Sequence, residues 1–343
     1  MQLELLCDYA CNTGENPLWH PEEKKIYWND IPRGRVFCYD PATQQHGIVY
    51  EGEVTGGFTF QADGGLLLFQ RQGAIRLLKN GVLTTLIASL PNEEASRFND
   101  VMADPTGRVF CGTMPSPDPG GPTPGALYRL DLDGSITTLF GDVTVSNGMG
   151  FTPDLKQFYH TDSLKKTIDR FDYDNISGNL SNRTPFVHSK AEIGVPDGMT
   201  VDTEGCVWSA RWDGNCLTRY SPQGRELMRI YFPVKKVSSA CFGADDFSDL
   251  YVTTAGGHIK DSDGIHAGAL YRVSLRSLGV RGTPEFYSRI RFELGTMTRD
   301  SNFVLNIYSI DYVSTIYSIF ISSSFIDSKY RDCCTCLPSC LSS

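Results

Sequence analysis

The sequence has no excess of basic residues. Its 343 residues include 40 acidic and 31 basic side chains, which gives a formal net charge of −9 and an isoelectric point near 5.2. Proteins that bind nucleic acid gather the polyanion with clustered positive charge, and this chain has no surplus of that sign. We therefore expect no nucleic-acid partner.

Targeting and zinc-binding patterns are also missing. The opening stretch, MQLELLCDYACNTGENP, has no basic start, no long apolar run and no small-residue cleavage site, so no secretory signal is expected. Seven of the eleven cysteines are scattered singly and lack the paired spacing of a zinc site. These seven are Cys7, Cys11, Cys38, Cys111, Cys206, Cys216 and Cys241. They are expected to be reduced, mostly buried thiols of a cytoplasmic protein.

Common catalytic phrases are absent as well. The chain has no G-x-S-x-G nucleophile turn, and its six histidines show neither zinc spacing nor a clear Ser-His-Asp phrase. His160 and His188 are therefore predicted to be strand or loop residues. No segment of the sequence shows the hydrophobic period of a long helix.

What the chain does contain is a repeat of about forty-five residues. Each copy has a polar residue, a short apolar stretch, a turn rich in Asp, Gly or Pro, and then alternating aromatic and aliphatic residues. The six copies begin at Glu15, Gly56, Phe98, Ser146, Pro196 and Ser239. Several are followed by a second apolar ribbon, as in GALYRLDLDG from Gly125.

Short period-two segments separated by turns are typical of strands rather than helices. Two hairpins per repeat and six repeats predict an all-β, six-bladed β-propeller with four-stranded blades, in which each sheet covers its neighbours. In such a ring the first strand of each blade lines the central channel. Residues at the same phase of the repeat then meet at the channel mouth, and they are Glu15, Gly57, Asn99, Asn147, Asp197 and Ser239.

Three of these positions have oxygen side chains that suit a hard divalent cation. Glu15, Asn147 and Asp197 supply two carboxylates and an amide carbonyl, with room left for water or substrate. Asn147-Gly and Asp197-Gly are also ordinary turn sequences, so a structural role for each stays open. Arg97 and Asn99, in the phrase SRFND, suit hydrogen bonding to substrate hydroxyls or a carbonyl.

Asp100 and Trp212 lie in the same repeats as Asn99 and Asp197, respectively. Asp100 is predicted to be a structural turn acceptor. Trp212, in the phrase ARWDGN, is a candidate for the wall of the channel mouth. The alternative for Arg97 is a surface salt bridge.

Several phrases resemble the regucalcin (senescence marker protein) and gluconolactonase family, in the right order and spacing from about Leu3 to Ile290. They are GENPLWHP, RFNDVMADPTGRVFCGTMP, GALYRLD, SNGMGFTPD, FYHTDS and VPDGMTVDTEGCVWSA. The resemblance implies a six-bladed propeller that hydrolyses aldonolactones such as gluconolactone with one divalent ion, whether Ca, Zn, Mn, Mg or Fe. It also implies that Glu15, Asn147 and Asp197 are metal ligands and that Arg97 and Asn99 contact the substrate.

One departure from that family concerns substrate binding. Animal regucalcins have an acidic substrate contact just before the GALY phrase, whereas this chain has GGPTP from Gly120 to Pro124. Specificity is expected to differ there unless Asp118 reaches the site. For the reaction, we expect the cation to polarise the lactone carbonyl while Asp197 deprotonates the attacking water.

Two other functions compete with a lactonase that acts on a small sugar lactone. One is a calcium-binding regulatory or scaffold propeller without catalysis, and the other is an esterase for larger or phosphorus-containing esters. Open coordination positions together with Arg97 and Asn99 favour the enzyme. A monomer or weak homodimer is expected.

The repeat stops at Ile290, so the domain prediction is a propeller over 1–290 and an atypical, poorly ordered tail over 291–343. The tail is rich in Ser, Ile, Tyr and Phe and contains Cys333, Cys334, Cys336 and Cys340. Its polar residues disfavour a membrane span. We expect Leu3–Leu6 to close the ring beside Glu285–Tyr287, and deletion of 291–343 to leave activity intact.

Overall fold

The computed structural model describes residues 2–116, 123–189 and 194–291. Its strands form six four-stranded antiparallel sheets. Five contain four consecutive strands, and the sixth combines the last three described strands with the first. The predicted six-bladed β-propeller is confirmed. Across the described ranges, no helix has the length and apolar character needed to span a bilayer. The predicted tail lies outside the described residues, apart from Arg291.

The strands follow the repeat. The chain begins with β1 (Leu3–Asp8), which belongs to the sixth blade. The first blade consists of β2 (Gly14–His20), β3 (Lys25–Asp30), β4 (Arg35–Tyr39) and β5 (His46–Glu51). The second consists of β6 (Thr55–Phe60), β7 (Leu66–Gln70), β8 (Ile75–Lys79) and β9 (Val82–Ile87). The third consists of β10 (Ser96–Ala103), β11 (Val109–Pro115), β12 (Gly125–Leu130) and β13 (Ile136–Val143).

The second half of the ring repeats this plan. The fourth blade consists of β14 (Ser146–Phe151), β15 (Gln157–Asp162), β16 (Thr167–Tyr173) and β17 (Leu180–His188). The fifth consists of β18 (Val195–Val201), β19 (Val207–Trp212), β20 (Cys216–Tyr220) and β21 (Glu226–Tyr231). The sixth consists of β22 (Val237–Gly243), β23 (Asp249–Thr254), β24 (Ala269–Ser274) and β1. A short helix, α1 (Lys260–Asp263), lies between β23 and β24.

Burial explains the order of strands within a blade. The first strands are buried along almost their whole length, as in β6 and β14, whereas the outermost strands β5 and β9 have no fully buried residue. First strands of neighbouring blades contact one another around the complete ring. The first strand of every blade therefore lines the channel, as the repeat predicts. The apolar core lies in the layers between adjacent blades.

The predicted ring closure is wrong in its partner strand. β1 pairs with β24, with Leu3 opposite Val273 and Leu5 opposite Tyr271. β24, with the sequence ALYRVS, has a free edge whose backbone N–H and C=O groups can pair with another strand. Residues 285–287 follow Pro284, which has no N–H to donate to a ladder, and they lie elsewhere.

That later segment, residues 280–291, is here named the base strap. It crosses the end of the channel where the first strands finish, opposite the end that holds Glu15, Asn147 and Asp197. The Ser288 N–H donates to Phe60 O over 2.8 Å in the second blade, and the Arg289 N–H donates to Gly107 O over 2.8 Å in the third.

The base strap reaches the other four blades as well. In the fifth blade the Thr203 N–H donates to Arg281 O over 2.8 Å, and in the sixth the Gly282 N–H donates to Phe247 O over 2.9 Å. Phe286 packs against Phe151 of the fourth blade, and the Tyr287 hydroxyl lies 3.4 Å from Nδ1 of His20 in the first. The strap thus ties all six blades together and covers the base of the channel.

Candidate metal and substrate site

The six residues predicted to meet at the channel mouth lie on the six first strands. In each of these strands the pairing register shifts at or next to the predicted residue, as between Glu15 and Leu18 or between Asn147 and Met149. The same shift occurs in β6, β10, β18 and β22. A bulge turns a side chain away from the alternation of its strand. The repeated bulge therefore gives the six positions a common, irregular backbone at the mouth.

The three predicted metal ligands are all buried. Glu15, Asn147 and Asp197 expose only 5%, 5% and 4% of their surface. The Asn147 Nδ2 donates to Ser163 Oγ over 3.1 Å, but Asn147 Oδ1 is buried without a hydrogen-bond partner in the described part of the chain. Buried amide oxygens are nearly always satisfied, so an unpaired one points to a missing partner.

The donor set fits a hard divalent cation. Two carboxylates and a free amide carbonyl are the oxygen ligands that Ca²⁺ and Mg²⁺ prefer. Over the described ranges, no group of three or more His, Cys, Asp or Glu side chains gathers as a metal cluster. Glu15 and Asp197 are the only two members of the candidate set that belong to those four residue types, because the third oxygen is the amide oxygen of Asn147.

The buried charged groups of the site shift one another's pKa values. Burial raises the pKa of Glu15 well above its usual range, and the nearby charges of Asp197 and Asp100 raise it further. Burial and the charge of Asp100 likewise raise the pKa of Asp197, while Asn147 and Arg97 act to lower it. The site therefore concentrates negative charge that a bound cation would offset.

Arg97 and Asn99 form a connected pair on β10. Arg97 Nη1 donates to Asn99 Oδ1 over 2.6 Å and to Phe98 O over 3.0 Å. Burial lowers the pKa of Arg97 to about 10, and the charges of Glu15 and Asp197 act against that fall, so the guanidinium is positive at neutral pH. The salt-bridge alternative at the surface does not describe this residue, which faces the buried acids of the channel.

Asn99 has both polar atoms engaged. Its Oδ1 accepts from Arg97, and its Nδ2 donates to Ser146 O over 2.7 Å, across the seam to the fourth blade. In this arrangement Asn99 holds Arg97 in place, and substrate contacts by Arg97 and Asn99 stay a prediction.

Asp100 has a larger part in the channel than its turn sequence indicates. Its Oδ1 accepts from the Val101 N–H over 2.8 Å, as predicted for a turn acceptor. It also lines a cavity of about 30 Å³ together with Glu285 of the base strap. Burial raises the pKa of each carboxyl to about 7, and the charge of Asp100 contributes to the shift at Glu285. Sequence reasoning missed Glu285 because the strap lies outside the repeat.

The remaining sequence candidates occupy definite positions. His160 is fully buried on β15, where burial lowers its pKa to about 4, and His188 ends β17. Trp212 ends β19 on the mouth side, with Lys236 Nζ 5.6 Å from its ring centre. Asp118 lies outside the described residues, so its predicted approach to the site stays a prediction.

Comparison with known proteins identifies relatives over most of the chain. Residues 13–256 match the family described as the SMP-30/Gluconolactonase/LRE-like region. Pentonolactonase XacC of Haloferax volcanii is 44% identical over 85% of this chain and 99% of that protein. Regucalcin of Danio rerio is 33% identical over 83% of this chain and 98% of that protein. A crystal structure of a calcium-binding protein, regucalcin, from Agrobacterium tumefaciens strain C58 is 25% identical, covers 84% of this chain and 98% of its own, and gives a TM-score of 0.76.

Proposed function

Because the chain belongs to the SMP-30/gluconolactonase/LRE-like family, we propose that it is a metal-dependent hydrolase that opens small sugar lactones to the corresponding acids. Family membership agrees with the resemblance carried by the sequence phrases. The name of the Haloferax volcanii relative, a pentonolactonase, supports five-carbon sugar lactones as substrates beside gluconolactone.

One observation carries the proposal. Glu15, Asn147 and Asp197 lie at equivalent bulges of the first strands of three blades, and Asn147 Oδ1 has no hydrogen-bond partner among the described residues. Turn formation alone gives no reason to bury an unsatisfied amide oxygen beside two carboxylates. We assign these three residues as the ligands of one divalent cation.

A divalent cation bound there would supply Lewis-acid polarisation of the lactone carbonyl and stabilise the negative charge that grows on its oxygen. In our proposal Asp197 accepts a proton from the attacking water, whose oxygen adds to the carbonyl carbon. The ring C–O bond then breaks, and the leaving ring oxygen takes up that proton to become a hydroxyl. Arg97 donates hydrogen bonds to ring hydroxyls or the carbonyl oxygen, and Asn99 fixes the guanidinium for that task. The base strap closes the far end of the channel, so substrate and product use the mouth.

Asn147→Leu tests the site because it keeps the side-chain size and removes the free oxygen. We expect calorimetric titration of metal-stripped protein with Ca²⁺ or Mn²⁺ to show binding to the wild type and strongly reduced binding to the variant. Acid release from gluconolactone should fall with it. Ser163→Ala removes only the acceptor of Asn147 Nδ2 and serves as a milder comparison. Equal cation binding by the wild type and Asn147→Leu would refute the assignment.

The identity of the ion, the assembly and the location are expectations that belong to this proposal. Calcium is favoured by the description of the Agrobacterium protein, with Zn, Mn, Mg and Fe as the other members of the expected set. A cytoplasmic location agrees with the seven free cysteines of the described residues, six of them buried. A monomer or weak homodimer is expected. A scaffold function without catalysis would give cation binding but no acid release.

A further inference from the structure

Behind the candidate site, Ser146 connects residues of two blades. Its carbonyl accepts from Asn99 Nδ2 over 2.7 Å, so it holds the side chain that in turn holds Arg97. It also precedes Asn147 directly on β14, at the bulge of that strand. A displacement of Ser146 would therefore move a predicted metal ligand and the predicted substrate contacts together.

The Ser146 side chain is fixed by a buried histidine. A hydrogen bond joins Ser146 Oγ and His160 Nε2, which are 2.9 Å apart, and both residues are fully buried. The His160 ring packs edge-on against Phe140, with ring centres 5.4 Å apart. On the other side, Gly112 lies so close that a Cβ at that position would collide with Ser146 Oγ. The Ser146 hydroxyl is therefore closely enclosed, and His160 is its one hydrogen-bond partner among the described residues.

We infer that His160 and Ser146 are positioning residues, which set the metal ligand Asn147 and the Arg97–Asn99 pair relative to each other. The inference rests on the proposed function and adds two residues that do not touch the substrate. The positioning depends on the hydrogen bond between Ser146 and His160, and it requires no charge on the His160 ring. Groups that orient metal ligands typically change metal affinity or activity by about 10- to 100-fold when removed.

The experiment compares Ser146→Ala, His160→Leu and the double variant with the wild type. Ser209→Ala is the matched control, because Ser209 lies opposite Met199 on the fifth blade as His160 lies opposite Met149 on the fourth. Within the described part of the chain, the one hydrogen bond of the Ser209 hydroxyl goes to the neighbouring Ala210 O, over 3.4 Å. The readouts are Ca²⁺ and Mn²⁺ titration of metal-stripped protein, kcat and KM on gluconolactone, and the melting temperature.

We expect each single variant to weaken cation binding by about 10-fold and to raise KM, because ligand and substrate contacts shift together. The double variant should lose no more than one single variant, since both remove the same hydrogen bond. His160→Gln, which keeps a polar end, should recover most of the affinity. Ser209→Ala should match the wild type in cation affinity and KM.

Wild-type cation affinity and KM in a folded Ser146→Ala variant would overturn the inference, and that variant decides the question even if His160→Leu does not fold. Losses in the double variant equal to the product of the single losses would also overturn it. Absence of cation binding or lactone hydrolysis by the wild type would instead refute the proposed function itself.

Discussion

Ile290→Ala in the base strap is expected to destabilise the propeller by about 2 to 5 kcal/mol. Ile290 is 3% exposed and packs into the apolar layer between the second and third blades. Its carbonyl also accepts from Gln61 Nε2 over 2.7 Å, so the side chain lies at an anchored point of the chain. A loss of this size is a large part of the roughly 5–15 kcal/mol that stabilises a typical protein.

Thermal unfolding followed by circular dichroism measures the effect. For a propeller of this size the loss corresponds to a fall in melting temperature of roughly 3–8 °C. Ile176→Ala is the control, because Ile176 is 91% exposed and its truncation should change stability by less than about 0.5 kcal/mol. A melting temperature equal to that of the wild type in Ile290→Ala would refute the role of the strap.

Two truncated chains distinguish the contribution of the base strap to folding from that of residues 292–343. A chain that ends at Arg291 should fold and keep its activity, because the strap and its contacts with all six blades are retained. A chain that ends at Gly279 loses those bonds and the buried Val280 and Ile290, and it should not show cooperative unfolding. Cooperative melting and full activity of the shorter chain would contradict this account.

Other predictions concern the channel. Asp197→Ala should lower kcat/KM for gluconolactone about a hundredfold, near 3 kcal/mol of barrier, whereas Asp213→Ala in the exposed loop after β19 should not. Arg97→Lys should raise KM, because lysine lacks the fork that bonds Asn99 Oδ1 and substrate together, and steady-state kinetics measures this. Metal-stripped protein should melt at lower temperature as pH rises from about 4 to about 7, because the raised pKa values of Asp100 and Glu285 make the folded state bind more protons than the unfolded chain in that window. Thermal melts at several pH values measure that slope, and Asp100→Asn should reduce it; an unchanged slope would contradict the assignment.

Most of the fold could be predicted from the sequence repeat. Six copies of one phrase predicted six channel-lining strands, because short period-two segments separated by turns are typical of strands. The phase of the repeat predicted where Glu15, Asn147 and Asp197 would lie. The bulges that turn these side chains inward have no comparable sequence signal, so their burial could be learned only from the structure.

Features outside the repeat were harder to predict. The partner of β1 depends on which strand has a free edge after the ring forms, and both β24 and residues 285–287 have suitable side chains. Glu285 belongs to an irregular segment whose position is set by contacts with six separate blades. Asp100 has an ordinary turn sequence, and only the closed channel raises its pKa.

The most direct test of the central claim is a metal add-back assay. The protein is stripped of metal, single cations of the expected set are restored, and acid release is followed on glucono-, galactono-, arabino- and xylonolactone. The account predicts that at least one cation restores hydrolysis in the wild type and that Asp197→Ala stays about a hundredfold slower with every cation. Failure of the wild type to cleave any of these lactones with any of the cations would contradict it.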